Sequence, residues 1–253
     1  MAMARTAEVY ADFLLPYLAS DTHLVDVGCG SGELSLDLAR RVGAVTGIDM
    51  DPDEVSAARR EAGACGVTNT DFRVGDAYAS GLPDDCADAV LAHSVFELLD
   101  RPGAALIEMR RLLKPGGVLG LASVDYAGLI LTGPHDDRTH RFYEVRERLW
   151  ALAGADPYLG RRLRGLLLGS GFVSVAAETR CISYGTAEGV REFGLGRAED
   201  CSDPWYVDNA ERHGLATRGE VAEMRRSWTE WSESPDSYAA FAWCRAVGRK
   251  PEF

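Results

Sequence analysis

The sequence predicts an α/β fold: a doubly wound, mostly parallel sheet with a helical cover. Two patterns carry the core of that expectation. Short apolar strands alternate with helical segments over about residues 20–125, and the strands read as near-continuous Val, Ile, Leu and Ala, as a parallel sheet buried on both faces requires. A glycine-rich turn, DVGCGSG at 26–32, stands where the first strand gives way to the first helix.

Taken in order, the start of the chain reads as an amphipathic helix interrupted by Asp12 and Pro16 rather than a secretory leader. Residues 23–28 form a strand, and Leu34, Leu38 and Val42 then recur at helical spacing. A second strand at 44–49 precedes a helix announced by Asp51 as cap, Pro52 at its first position and Glu54 as capping partner. Further strands are expected at 70–76, 87–93 and 117–124. A helix from Pro102 to about Leu113 stops in the turn-forming KPGG at 114–117.

Beyond Tyr126 the alternation breaks. A polar loop and a helix carrying Phe142, Val145, Leu149 and Leu152 on one face suggest an inserted cover. A helix at 157–169, a strand at 172–184 and a last strand at 238–247 return to the sheet. Residues 185–236 form a second insertion, with a capping box from Thr217 to Glu220. One domain spans 1–253 in this reading: a core of 20–126, 156–184 and 238–250, and a lid from 1–18, 127–155 and 185–237.

The chain of 253 residues carries 39 Asp and Glu against 27 Lys and Arg, a formal net charge of −12, which repels phosphate backbones and argues against a nucleic-acid partner. No uncharged apolar run is long enough to span a bilayer, so no membrane partner is expected. The six cysteines are scattered without CxxC pairs, which points to reduced thiols and a cytoplasmic setting. His135, Asp136, Asp137, His140 and Glu144 have ligand-type chemistry but match no zinc spacing, so solvated loop polarity is preferred and no metal is expected.

Gly28, Gly30 and Gly32 let the turn approach a ligand closely, and Asp49, ending the second strand, can accept from both hydroxyls of a ribose. Asp51 already serves as the following helix's cap, which favours that role for Asp49. Asp76, ending the third strand, could accept from an adenine amino group, although taken alone it reads better as an ordinary turn aspartate. Glu33 stands where a dinucleotide fingerprint wants glycine; an anion facing a pyrophosphate weighs against a nicotinamide-dependent oxidoreductase.

The ordered set DVGCGSG, GIDMDPD, VGDA, AVLAHSVFEL and LKPGG resembles the class I S-adenosylmethionine-dependent methyltransferases over about residues 20–125. DPYLGRRLRGLLLGSGF is similar to their ubiquinone-biosynthesis-like branch, which methylates small metabolites. The resemblance implies a Rossmann-like sheet of seven strands whose last strand is antiparallel, with S-adenosylmethionine as cofactor and S-adenosylhomocysteine as product. It implies that Asp26, Gly28, Cys29, Gly30 and Gly32 cradle the methionine portion, that Asp49 and Met50 flank the ribose, and that Gly75, Asp76 and Ala77 frame the adenine, with His93 beside the pocket.

His93 ends the fourth strand at the ligand edge, and it is the first candidate if an acceptor must lose a proton, with His140 and His213 behind it. Lining the pocket without such a role is the preferred reading of His93. Tyr10, Phe13, Phe96, Tyr126, Phe142, Tyr143, Trp205 and Tyr206 are candidates for an apolar substrate pocket or for the core of the cover. The expected partner is a small-molecule acceptor, with the oligomeric state left open, a homodimer included. The alternatives are an RNA methyltransferase, which the acidity opposes, and a cofactor binder that transfers no methyl group.

Overall fold

The computed structural model describes residues 5–252, which divide into two compact units. The first comprises residues 5–124, 159–179 and 244–252. The second comprises Asp125–Tyr158 and Arg180–Trp243.

Seven strands, β1 (His23–Val27), β2 (Ala44–Asp49), β3 (Thr70–Val74), β4 (Ala87–His93), β5 (Leu113–Thr132), β6 (Val173–Tyr184) and β7 (Tyr238–Arg249), form one sheet in the order β3-β2-β1-β4-β5-β7-β6. The pairs β1/β2, β1/β4, β2/β3 and β4/β5 are parallel, with Val27 opposite Ile48 and His93 opposite Ala122, and the last strand is antiparallel. The order reverses between β1 and β4, which makes the carboxyl ends of those strands a switch point where such sheets bind ligands.

The strands near that point are apolar because both faces are covered. Val25, Val27, Ile48, Val90, Ala92, Leu119 and Leu121 pack with Leu106 and Met109 of the helix Pro102–Leu112 and with Leu163 and Leu167 of Leu163–Gly169. On the other flank, Leu36, Val55, Ala58, Ala62 and Phe72 form a smaller cluster under the helix Pro52–Cys65. That helix begins as its sequence dictates, with Asp51 accepting from Asp53 N at 2.8 Å and proline at its first position. It ends at Gly66 in the left-handed region.

Three expectations change. Residues 1–18 were expected as one amphipathic helix within the lid. Among the described ones only Ala7–Tyr10 is α-helical, with a 3-10 turn at Leu15–Tyr17 around Pro16, and the segment belongs to the first unit, where Ala7 N donates to Asp37 Oδ2 at 2.8 Å. KPGG is not a free turn. It lies inside β5, because Gly116 N donates to Lys250 O and Lys250 N to Gly117 O at 3.0 and 2.9 Å. Residues 127–132, expected in the cover, continue β5 and belong to the second unit.

The second unit holds four helices among the described residues: Asp136–Leu152, Ala187–Asp200, Pro204–Arg212 and Arg218–Glu233. Its core is aromatic. Trp228 lies 5.4 Å from Trp231, 5.8 Å from Phe142 and 5.9 Å from Phe193, centroid to centroid. Gly194 lets Ala187–Asp200 and Arg218–Glu233 approach closely, since a Cβ there would stand 2.6 Å from Ser232 Cβ. The predicted capping box is present, Thr217 accepting from Glu220 N and Glu220 from Thr217 N. No described helix is long and apolar enough to cross a membrane.

Candidate cofactor site

The turn after β1 is fastened to the end of β2. Gly28 N and Cys29 N donate to Ile48 O at 2.8 and 3.0 Å, and Gly30 N donates to Asp49 Oδ2 at 2.8 Å. The three glycines have φ of +74, +53 and +84°, so each sits where a side chain is strained, but their surroundings differ. A Cβ on Gly28 would stand 2.3 Å from Val95 Cγ2, and one on Gly32 2.9 Å from Ala58 Cβ. At Gly30 only Glu54 Oε2, at 3.9 Å, comes near. Gly32 is therefore a packing glycine that opens the helix Glu33–Ala39, whereas Gly30 faces open space.

That space is a cleft in two halves. One, of about 290 Å³, is polar and lined by Arg5, Asp26, Gly28, Cys29, Gly30, Ser31, Glu33, Leu34, Asp49, Glu54, His93 and Ser94. The other, of about 270 Å³, is mostly apolar and lined by Val27, Gly28, Ile48, Asp49, Met50, Gly75, Asp76, Ala77, Tyr78, Ser94, Val95, Leu98 and Leu99. Gly28, Asp49 and Ser94 belong to both, so Asp49 stands at the waist. Met50 and Leu98 are 79% and 51% exposed, large apolar side chains left uncovered where a flat apolar group would cover them.

The electrostatics of the polar half follow from burial. Asp26, 2% exposed inside β1, is pushed up to about 6 by desolvation, against the opposing hydrogen bond from Ser35 Oγ and the charge of Arg5. Burial, with Asp26 and Asp49 nearby, also raises the Cys29 thiol, which is thereby no nucleophile. His93 is held well below its ordinary value by burial first and then by Arg5, and its Nδ1 lies 2.6 Å from Arg5 Nη2. Glu97, buried and raised by desolvation, accepts from Ser123 Oγ at 2.6 Å and Ser94 Oγ at 2.9 Å. Ser94 itself has φ +60°, a strained conformation for a residue with a Cβ.

Of the residues expected around a cofactor, Asp26, Gly28, Cys29, Gly30, Asp49, Met50, Gly75, Asp76, Ala77 and His93 all line the cleft, and Gly32 does not. Asp76 also makes the turn that was its alternative explanation, accepting from Tyr78 N at 2.8 Å. The sequence reading missed Arg5, Glu54, Tyr78, Ser94 and Val95. The run SVFEL directly after β4 signalled the last two by position, and nothing in the sequence signalled Arg5.

His140 and His213 lie in the second unit and line neither half of the cleft; His140 Nδ1 bonds the Asp136 carbonyl at 2.7 Å, an ordinary helical contact. His135 pairs with Glu230. The aromatic candidates sort by burial. Phe96, 1% exposed, belongs to the sheet core, and Phe142, Tyr143 and Tyr206 belong to the aromatic core of the second unit, so these four correct the expectation of a lining role. Tyr126 packs against Tyr143, Trp150 and Phe241. Trp205 is 45% exposed. Phe13 lies under Arg245, at 5.2 Å, while Tyr10 stands edge-on to His93.

A family model described as "Methyltransferase domain" matches residues 25–121. An uncharacterized methyltransferase of Schizosaccharomyces pombe is 28% identical over 250 residues, covering 94% of this chain and 87% of its own. The ubiquinone biosynthesis O-methyltransferase of Cereibacter sphaeroides is 36% identical over 113 residues, 45% of each chain. Among solved structures, the [4+2]-cyclase SpnF superposes with a TM-score of 0.59 at 24% identity, over 95% of this chain and 80% of that one, a likeness of fold.

Proposed function

We propose that the chain, whose residues 25–121 match a methyltransferase domain, is a class I S-adenosylmethionine-dependent methyltransferase that methylates a small organic acceptor at an oxygen, nitrogen or carbon nucleophile. The observation that carries the acceptor class is charge. Asp26, Glu33, Asp49 and Glu54 line the polar half of the cleft and the whole chain carries a formal charge of −12, a balance that disfavours a polyanion. The likeness to a ubiquinone biosynthesis enzyme over 113 residues supports the same reading. Acceptor choice belongs to the second unit in this proposal, because the family match ends at residue 121. A cytoplasmic setting is part of it, supported by six free cysteines.

The residues fit the cofactor. The open side of Gly30 admits a ligand where a Cβ would intrude, Asp49 offers a carboxylate at the waist for the ribose, and Met50, Ala77, Tyr78, Val95 and Leu99 give the adenine an apolar seat beside Asp76. Asp26 supplies a buried anion for the ammonium group. Bound S-adenosylmethionine supplies an activated methyl group on a sulfonium. The protein's work is to hold donor and acceptor in line and to keep water out.

The test is product formation by the purified protein. Incubated with S-adenosylmethionine and panels of phenols, amines and carboxylic acids, it should yield S-adenosylhomocysteine with at least one small acceptor and none with bulk tRNA or ribosomal protein. Turnover confined to the polymers would reject the acceptor class.

A further inference from the structure

Arg5 reaches the cleft from the segment before the Ala7–Tyr10 helix, and that helix is anchored. Ala7 N donates to Asp37 Oδ2, and Glu8 pairs with Arg41. The Arg5 guanidinium carbon lies 5.4 Å from the centre of the Tyr10 ring, and the same ring meets His93 edge-on at 5.3 Å. Among the described residues that line the polar half, Arg5 is the cationic one, against Asp26, Glu33, Asp49 and Glu54. Its guanidinium bonds the His93 Nδ1 nitrogen, and among the described residues it enters no ion pair. A guanidinium held this way beside a ligand cavity keeps donor N–H groups for an anion that arrives with the ligand.

The geometry also fixes the histidine. Arginine has only donors, so the His93 Nδ1 that meets it must accept, which places the ring proton on Nε2 and leaves the imidazole neutral. A general base needs a free lone pair facing the proton it takes, and on this ring the lone pair is engaged by Arg5.

We propose that Arg5 anchors the α-carboxylate at the amino-acid end of the cofactor, and that His93 is a positioning residue that holds the guanidinium there and is not the base for the acceptor. The inference rests on the cofactor assignment above. The amino-acid end brings one ammonium and one carboxylate. Among the described residues the cavity offers several anions for the first and the Arg5 cation for the second.

Calorimetry with two ligands tests this: S-adenosylhomocysteine, and 5′-methylthioadenosine, which keeps the nucleoside and sulfur but lacks the carboxylate. Arg5→Ala should weaken S-adenosylhomocysteine roughly tenfold or more and leave methylthioadenosine within about twofold, with Arg5→Lys between. His93→Phe, which keeps a ring beside Tyr10 but loses the acceptor, should show the same selective loss. His93→Asn, which keeps an acceptor, should recover part of it, and serves if the Phe variant does not fold. Equal losses for both ligands, or none, would overturn the role of Arg5. A His93→Phe protein with unchanged S-adenosylhomocysteine affinity but abolished turnover would return His93 to the role of base. If the wild type bound neither ligand, the cofactor assignment itself would fail, an outcome distinct from both.

Discussion

Asp49 holds the glycine turn in place: its Oδ2 accepts from Gly30 N at 2.8 Å while its Oδ1 accepts from Asp51 N at 3.0 Å. Each carboxylate oxygen keeps a lone pair, so the side chain that shapes the turn also remains an acceptor for ribose hydroxyls. With the ribose role proposed for it, this side chain carries two functions and its loss is costly. Asp49→Ala should weaken S-adenosylhomocysteine by at least tenfold, on the scale of one or two charge-assisted hydrogen bonds. Asp51→Ala removes only the cap on Asp53 N and should cost about 1 kcal/mol of stability with little affinity. Calorimetry and thermal melts on the two proteins separate the assignments; equal affinity losses would undo them.

The turn glycines should fail in different ways. Gly30→Val puts its branches into open cavity, so the protein should fold, at a cost of about 1–3 kcal/mol for the left-handed backbone, and lose the cofactor. Gly32→Val drives into Ala58 and Phe72 and should be destabilised further. Melting curves beside binding isotherms would show the inverted order if Gly32 were the ligand-facing position.

Asp26 predicts a pH dependence. Its folded value of about 6 lies above the ordinary carboxylate range, so the native state holds a proton that the unfolded chain has already lost, and this residue's contribution to stability falls as pH rises from about 4 to 6. In the proposed cofactor complex the preference reverses, since an ammonium group beside Asp26 favours the carboxylate. Affinity for S-adenosylhomocysteine should therefore decline as pH drops below about 6, with proton release on binding near that pH. Calorimetry in buffers of different ionisation enthalpy measures the release. Asp26→Asn should abolish it.

The second unit depends on its aromatic centre. Trp228, fully buried against Phe142, Tyr143, Phe193 and Trp231, should cost about 3–5 kcal/mol as Trp228→Ala. Chemical denaturation followed by tryptophan fluorescence would show it, and a change below 1 kcal/mol would mean that this core is loosely packed.

The strands and the turn were legible because their causes are local: apolar runs bounded by Gly, Asp and Pro place β1 to β4, and the donor-accepting Asp49 ends one of them. What escaped depends on distant partners. KPGG reads as a turn until Lys250 pairs with it across the sheet. Ala187–Asp200 and Pro204–Arg212 lay unseen within one long insertion, although Thr186 and Asp203 cap them as ordinary N-cap residues do. Phe142, Tyr143 and Tyr206 carry no mark in the sequence that separates a core ring from a ring in a substrate pocket; only burial does. Arg5 meets His93 across 88 positions, a contact no spacing rule reports.

The most direct test of the account follows the methyl group. The protein is incubated with S-adenosylmethionine labelled in that group and an unfractionated cell extract, and the label is partitioned by size. The account predicts label in the small-molecule fraction, formed by the wild type and lost with Asp49→Ala. Label retained in material that ribonuclease or protease releases would contradict it.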